Sequence, residues 1–167
     1  YSPRNRGYAS QAAEVLGLLL PDYTAVELNK CTSEAYSASN FSADAIVPLV
    51  SVGKRSVLEL WHGPTSAFKD MALQIMPKLL SLALEKTGET SDMLILVATS
   101  GENGKGGFER FKDIPGDQIL VFYPSNGVSE VQRRQMITQE GRNVGVVAVK
   151  GNFDDAQTGV KKIFASA

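Results

Sequence analysis

The sequence predicts an α/β fold in which a parallel sheet is flanked by helices and preceded by a β-hairpin. Two observations support this fold class. From residue 92 onward, short apolar runs alternate with helical segments at regular spacing, as in parallel strands joined by right-handed crossovers. Before that point, apolar residues alternate on either side of GKR at positions 53–55, and a helical pattern of apolar residues follows.

Helices and one hairpin account for the first half. Residues 10–20 predict a helix, and residues 24–40 predict a second helix that frays into a polar loop. The hairpin is expected over 47–61. Residues 66–86 carry apolar side chains at three- and four-residue spacing, which indicates an amphipathic helix. Pro77 interrupts it, so we expect either a bend or two shorter helices.

The second half predicts three strands and three helices in alternation. The strands are expected at 92–100, 118–124 and 143–151, and the helices at 101–113, 125–141 and 154–164. The apolar run of the first strand is continuous, which is typical of a strand covered on both faces. Ligands of parallel sheets bind at the carboxyl ends of strands, where the glycine-rich segment ATSGENG lies.

Composition excludes several classes of protein. The 167 residues carry a net charge of −1, so no basic field is available for nucleic acid or an anionic membrane. No apolar run reaches the roughly 20 residues of a membrane span. Cys31 is the single cysteine, which fits a reducing compartment such as the cytoplasm.

The glycine-rich segment ATSGENGKGG does not match the common nucleotide-binding patterns. A triphosphate loop requires Gly five residues before Gly104 and Ser or Thr after Lys105, and neither is present. The dinucleotide pattern fails because its last position is Glu109. Two interpretations remain open: a loop whose N–H groups hold a carboxylate at a helix start, or a tight turn that uses glycine only for its freedom.

Lys69, in HGPTSAFKD, stands among small and apolar residues where a helix is expected to begin. Desolvation of such an amine would lower its pKa and make it nucleophilic, as Schiff-base chemistry with an aldehyde cofactor requires. The common alternative is a lysine whose ammonium extends to solvent. The residue taken by itself does not decide between them.

The segment ELWHGPTSAFKDMALQ closely resembles ELFHGPTxAFKDxALQ of the threonine synthases. VATSGENGKGGFERFKD resembles the family's xATSGDTGKAAxEGFKD, and residues 121–164 resemble its next strand, helix, strand and helix. The opening YSPRNR is similar to YxSTRN. The resemblance covers the chain from about residue 46 to its end, together with that opening.

The resemblance implies a fold-type II enzyme that uses pyridoxal 5′-phosphate. Lys69 would be the Schiff-base lysine and the acid/base that moves protons on the substrate carbons, and we expect its ε-amine to be desolvated. The implied reaction converts O-phospho-L-homoserine and water to L-threonine and phosphate. Glu102 and Asn103 would lie near the cofactor ring. The loop expected to face the substrate carboxylate comprises Thr99, Ser100, Gly101, Glu102, Asn103 and Gly104.

The resemblance also implies a domain organisation. Residues 1–90 would belong to the large cofactor domain and residues 91–167 to a small α/β domain. Members of the family run well beyond twice this length, so we expect an incomplete chain that lacks the phosphate cup and the partner of the pyridine nitrogen. The sequence does not distinguish a monomer from a homodimer.

Five other acidic or aromatic positions receive lesser roles. We interpret His62 as a hydrogen-bonded packing residue near the site and Phe68 as packing. Asp70 is interpreted as a first-turn acid that complements the helix dipole. Asp154 or Asp155 is expected to cap the last helix.

The family's SGDTGKAA is SGENGKGG here, so Glu102 and Asn103 differ from the family pattern. One extra methylene at Glu102 moves a charge by about a bond length near the ring. Two alternatives therefore stay open: a related phospho-lyase or dehydratase of hydroxy-amino acids, and a non-catalytic fold-type II relative.

Overall fold

The computed structural model describes residues 7–99, 117–126, 128–138 and 141–166. The chain divides into two compact units, Tyr1–Gly88 and Glu89–Ala167. Their assignment to the large and small domains of a cofactor enzyme stays a prediction. In the described ranges, no helix has both the length and the apolar character needed to cross a membrane.

The first unit begins with two packed helices, α1 (Tyr8–Leu19) and α2 (Ala25–Ala35). Thr24 starts α2 through a capping box: its hydroxyl accepts from the N–H of Glu27, and the Glu27 carboxylate accepts from the N–H of Thr24. The helix ends at Ala35 and a loop follows, as the polar residues after this point predict.

The predicted hairpin is confirmed. Strands β1 (Leu49–Val52) and β2 (Arg55–Leu58) pair antiparallel, with Val52 opposite Arg55. Gly53, at φ 62°, occupies the first position of the two-residue turn, where a left-handed conformation favours glycine.

The predicted amphipathic helix is two helices, α3 (Asp70–Leu73) and α4 (Met76–Thr87). Pro77 lies in the first turn of α4, where its missing N–H leaves no helical bond unmade. Gly88, at φ 66°, ends α4 in the left-handed conformation. The apolar face of these helices packs with α2 in a core formed by Cys31, Ala35, Ile75, Leu16, Tyr36, Leu79 and Leu82.

The second unit contains the predicted parallel sheet, in the order β3 (Met93–Ala98), β4 (Asp117–Pro124), β5 (Val144–Val149). Helix α5 (Glu130–Ile137) lies between β4 and β5 in sequence, and helix α6 (Phe153–Ala165) packs against β3 and β4. The core of the sheet is formed by alternating residues of β4 and one residue of α6: Ile119, Val121, Tyr123 and Ala156.

The expectation that the first strand is covered on both faces is met only in part. Leu94 of β3 is 54% exposed. The other five residues of β3 are half-buried, so each face of this strand is partly covered. The helix expected over 101–113 falls outside the described residues.

Candidate functional site around Lys69

Lys69 immediately precedes α3 and already has helical backbone angles, φ −64° and ψ −19°. Its carbonyl oxygen accepts hydrogen bonds from the N–H groups of Ala72 at 3.0 Å and Leu73 at 2.9 Å. The lysine is therefore held by the first turn of the helix, as the sequence predicts, and its side chain extends from an ordered backbone.

The expectation that the Lys69 side chain is desolvated is wrong for this chain, because the residue is exposed. Phe68 beside it is 63% exposed. Asp70 and Gln74 are both buried. Residues four apart lie on the same helical face, so this pair occupies the inward side and Lys69 lies on the outward side.

Asp70 stands in the first turn of α3, the position predicted for a dipole-complementing acid. The structure adds a second feature, because only 1% of the residue is exposed. Its Oδ2 accepts from the N–H of Thr65 at 2.9 Å and its Oδ1 accepts from the Thr65 hydroxyl at 2.9 Å. The carboxylate thus connects the segment before Lys69 to the helix after it.

His62 is hydrogen-bonded and packed, as predicted. Its Nε2 lies 2.6 Å from Oε2 of Glu59, and its Nδ1 lies 3.1 Å from the hydroxyl of Ser42. The ring stacks on Trp61 with 5.8 Å between centroids, and the N–H of Ser42 donates to the His62 carbonyl at 2.9 Å. These bonds occupy both ring nitrogens, which leaves His62 as an anchor of the segment.

Of the loop predicted to face a substrate carboxylate, the structure describes Thr99. It follows β3, is 4% exposed, and its N–H donates to the carbonyl of Phe122 at 3.0 Å. The other predicted loop residues lie outside the described residues: Ser100, Gly101, Glu102, Asn103 and Gly104. Lys69 belongs to the first unit and Thr99 to the second.

The cap of the last helix differs from the prediction. Asn152 is the N-cap of α6, and its side chain accepts from the N–H of Asp155 at 3.1 Å. Asp155 is the third helical residue of this capping box and accepts from the N–H of Asn152 at 2.8 Å. Asp154 lies in the same first turn. Neither aspartate is the cap, because Asn152 precedes them with the extended backbone that the cap position requires.

Sequence reasoning missed Thr65 and Gln74. Thr65 binds Asp70 through both its N–H and its hydroxyl. Gln74 is 3% exposed, and within the described part of the chain its amide nitrogen and oxygen have no hydrogen-bond partner. The four-residue spacing of Asp70 and Gln74 was the available signal, since it places two polar residues on the apolar side of one helix.

Comparison with known proteins confirms the predicted resemblance to threonine synthases, although no family model matches the chain. The chain is 45% identical over 140 residues to a threonine synthase of Pseudomonas aeruginosa, a match that covers 83% of this chain and 29% of that protein. It is 38% identical over 149 residues to human threonine synthase-like 1, covering 86% of this chain and 20% of the relative.

The fold agrees with the sequence comparison. A crystal structure of threonine synthase from Brucella melitensis with bound PLP superposes with a TM-score of 0.79 at 36% identity, covering 97% of this chain and 34% of that one. In both fold and sequence, the chain is therefore similar to part of the threonine synthases. The chain spans about a third or less of the length of these relatives.

Proposed function

We propose that this chain is part of a pyridoxal-phosphate-dependent enzyme that converts O-phospho-L-homoserine and water to L-threonine and phosphate. The observation that carries the proposal is the 45% identity to a threonine synthase over a region that includes most of the chain. Because the chain spans about a third of such relatives, the activity is assigned to the complete enzyme. We also propose a cytoplasmic location, in line with the single cysteine.

The described residues fit one requirement of pyridoxal phosphate, a primary amine on an ordered backbone. Lys69 provides that amine at the first turn of α3, and its exposure leaves it accessible to an aldehyde. We assign the phosphate cup and the partner of the ring nitrogen to the part of the relatives outside the matched region. The cofactor, when bound, supplies an electron sink for carbon–hydrogen bond cleavage.

Lys69 would hold the cofactor through Nζ and would also accept and return protons on the substrate carbons. The N–H groups of residues 100–104, which follow Thr99 in the same loop, would bind the substrate carboxylate, and Glu102 and Asn103 would contact the cofactor ring. Phe68, which precedes the lysine, and Met76, at the start of α4, are both exposed apolar residues. We propose that the complete enzyme covers Lys69 and these apolar residues, which would remove water from the amine.

Covalent trapping tests the role of Lys69. The 167-residue chain is incubated with pyridoxal phosphate, reduced with borohydride and digested for peptide mass spectrometry. We expect the reduced adduct preferentially on Lys69, weak overall binding, and no turnover. Lys69→Arg removes the proposed attachment site. Lys54→Arg, at an exposed lysine in the hairpin turn, is its matched control. An adduct spread evenly over all lysines would contradict the proposal, and tight binding with turnover would contradict the expectation of an incomplete chain.

A chimaera tests the reaction. Residues 1–167 replace the matching region of the Pseudomonas aeruginosa threonine synthase, and threonine and phosphate are measured with O-phosphohomoserine as substrate. We expect both products in equal amounts, abolished by Lys69→Ala. If the chimaera instead releases phosphate from other phosphorylated hydroxy-amino acids, the related lyase is the better assignment. A folded chimaera without Lys69-dependent chemistry would favour the non-catalytic relative.

The alternative lyase rests on a specific observation. Glu102 and Asn103 replace the aspartate and threonine of the family pattern in the loop proposed to contact the ring. Restoring them in the chimaera, Glu102→Asp with Asn103→Thr, should leave substrate preference unchanged if the chain is a synthase. A switch from another substrate to O-phosphohomoserine would show that these two residues set specificity.

A further inference from the structure

The Asp70 carboxylate is enclosed although it lies beside an exposed lysine. Burial of a carboxylate is unfavourable unless hydrogen-bond donors replace water. Thr65 supplies two donors, with one bond to each carboxylate oxygen, both at 2.9 Å. Hydrogen bonds to an ionised acceptor are about twice as strong as bonds between neutral groups. These two hydrogen bonds therefore form a fixed link between Thr65 and Asp70.

The backbone between these positions is folded tightly against Asp70. A Cβ added to Gly63 would lie 2.5 Å from Oδ2 of Asp70 and 2.6 Å from its Cβ, so only glycine permits this approach. Ser66 has φ 58°, and its N–H donates to the carbonyl of Gly63 at 3.1 Å. The N–H of Asp70 donates to the carbonyl of Ala67 at 3.0 Å. Hydrogen bonds on both sides thus restrain the backbone of the four residues before Asp70.

We propose that Asp70 is a positioning residue, which acts through Thr65 to fix the backbone of Lys69 and hence the direction of its amine. This inference rests on the proposed function, since the direction matters only if the amine holds a cofactor. Adjacent residues of a helix diverge by about 100°. Holding Asp70 in the interior therefore keeps Lys69 on the outward side.

A positioning role accounts for a buried acid next to an exposed base. A flexible lysine reacts with an aldehyde in many orientations, whereas a lysine on a fixed backbone is held in a smaller set. The link from Thr65 supplies this restraint. It acts on the main chain, so Asp70 needs no contact with the cofactor itself.

The test uses the full chain and compares two lysines of the first unit. Pyridoxal phosphate is added, borohydride traps the adduct at short times, and mass spectrometry gives the ratio of labelled Lys69 to labelled Lys54. Asp70→Ala removes both bonds to Thr65 and should lower this ratio about fivefold, the change expected for loss of about one net hydrogen bond. Asp70→Asn should retain the ratio, because its oxygen can accept from the Thr65 N–H and its amide can donate to the hydroxyl.

A second pair keeps the test decisive where Asp70→Ala fails to fold. Thr65→Val removes only the hydroxyl bond and should lower the ratio, whereas Thr65→Ser keeps the hydroxyl and should preserve it. Circular dichroism identifies the folded variants. A ratio that is unchanged in the folded Asp70→Ala and Thr65→Val chains would overturn the positioning role and leave the proposed function intact. No preference for Lys69 in the unaltered chain would overturn the proposed function, and the positioning role with it.

Discussion

Replacement of Gln74 by methionine should stabilise the first unit. Gln74 is 3% exposed, and no hydrogen bond reaches its amide nitrogen or oxygen from the part of the chain that the structure describes. A buried amide without a partner costs about 1–3 kcal/mol relative to solvent. Methionine has a similar length and helix propensity, so it should fill the same space with little strain. We therefore expect the free energy of unfolding to rise by about 1–3 kcal/mol.

Urea unfolding followed by circular dichroism and by the fluorescence of Trp61 measures this change. In thermal unfolding of a unit of this size, each kcal/mol of added stability should raise Tm by about 4–8 °C. Glu85→Met, at an exposed position of α4, is the matched control and should change stability by less than about 0.5 kcal/mol. Equal or lower stability of the Gln74→Met chain would show that the amide is bonded in solution and that the reasoning is wrong.

Three further predictions concern the same unit. Thr24→Ala should lower its stability by about 0.5–2 kcal/mol, measured by urea unfolding, because the capping box of α2 is lost; Thr24→Asn should not. The N–H of Thr24, with Lys86, lowers the pKa of Glu27 from 4.5 to about 2, so its contribution to stability should be complete above pH 4.5 and lost as pH falls through 2. Urea unfolding repeated at a series of acid pH values should show that Glu27→Gln removes this pH dependence of stability. Burial, and then Tyr8, raise the pKa of Tyr36 from 10.0 to about 12, so stability should be complete below pH 10 and lost as pH rises through 12. Unfolding measured at a series of alkaline pH values should show that this loss of stability is absent from Tyr36→Phe.

Hydrophobic spacing predicted the elements of the fold well, because local periodicity decides which face an element buries. The stripe that includes Ile75, Leu79 and Leu82 packs into the core of the first unit. Pro77 divided the helix as its covalent geometry requires. In the second unit, the alternation of strands and helices was sufficient to predict a parallel sheet.

Prediction failed where a residue's surroundings come from distant parts of the polypeptide. The small and apolar neighbours of Lys69 suggested a desolvated amine, yet Lys69 and Phe68 are both exposed. Sequence neighbours do not determine burial, because burial depends on which element packs over a surface. The prediction for the cap of α6 was wrong for a local reason, because Asp154 and Asp155 lie in the first turn and Asn152, just before the helix, is the cap.

By itself, the sequence determined the class of fold, the positions of most helices and strands, and the resemblance centred on Lys69. These properties follow from local periodicity, proline and glycine geometry, and an ordered set of motifs. Only the tertiary structure decided that Asp70 is buried against Thr65, that Gly63 must lack a side chain, and that Lys69 lies on the outward face. Each of these depends on groups several residues apart meeting within hydrogen-bond or van der Waals distance, which no periodic pattern in the sequence encodes.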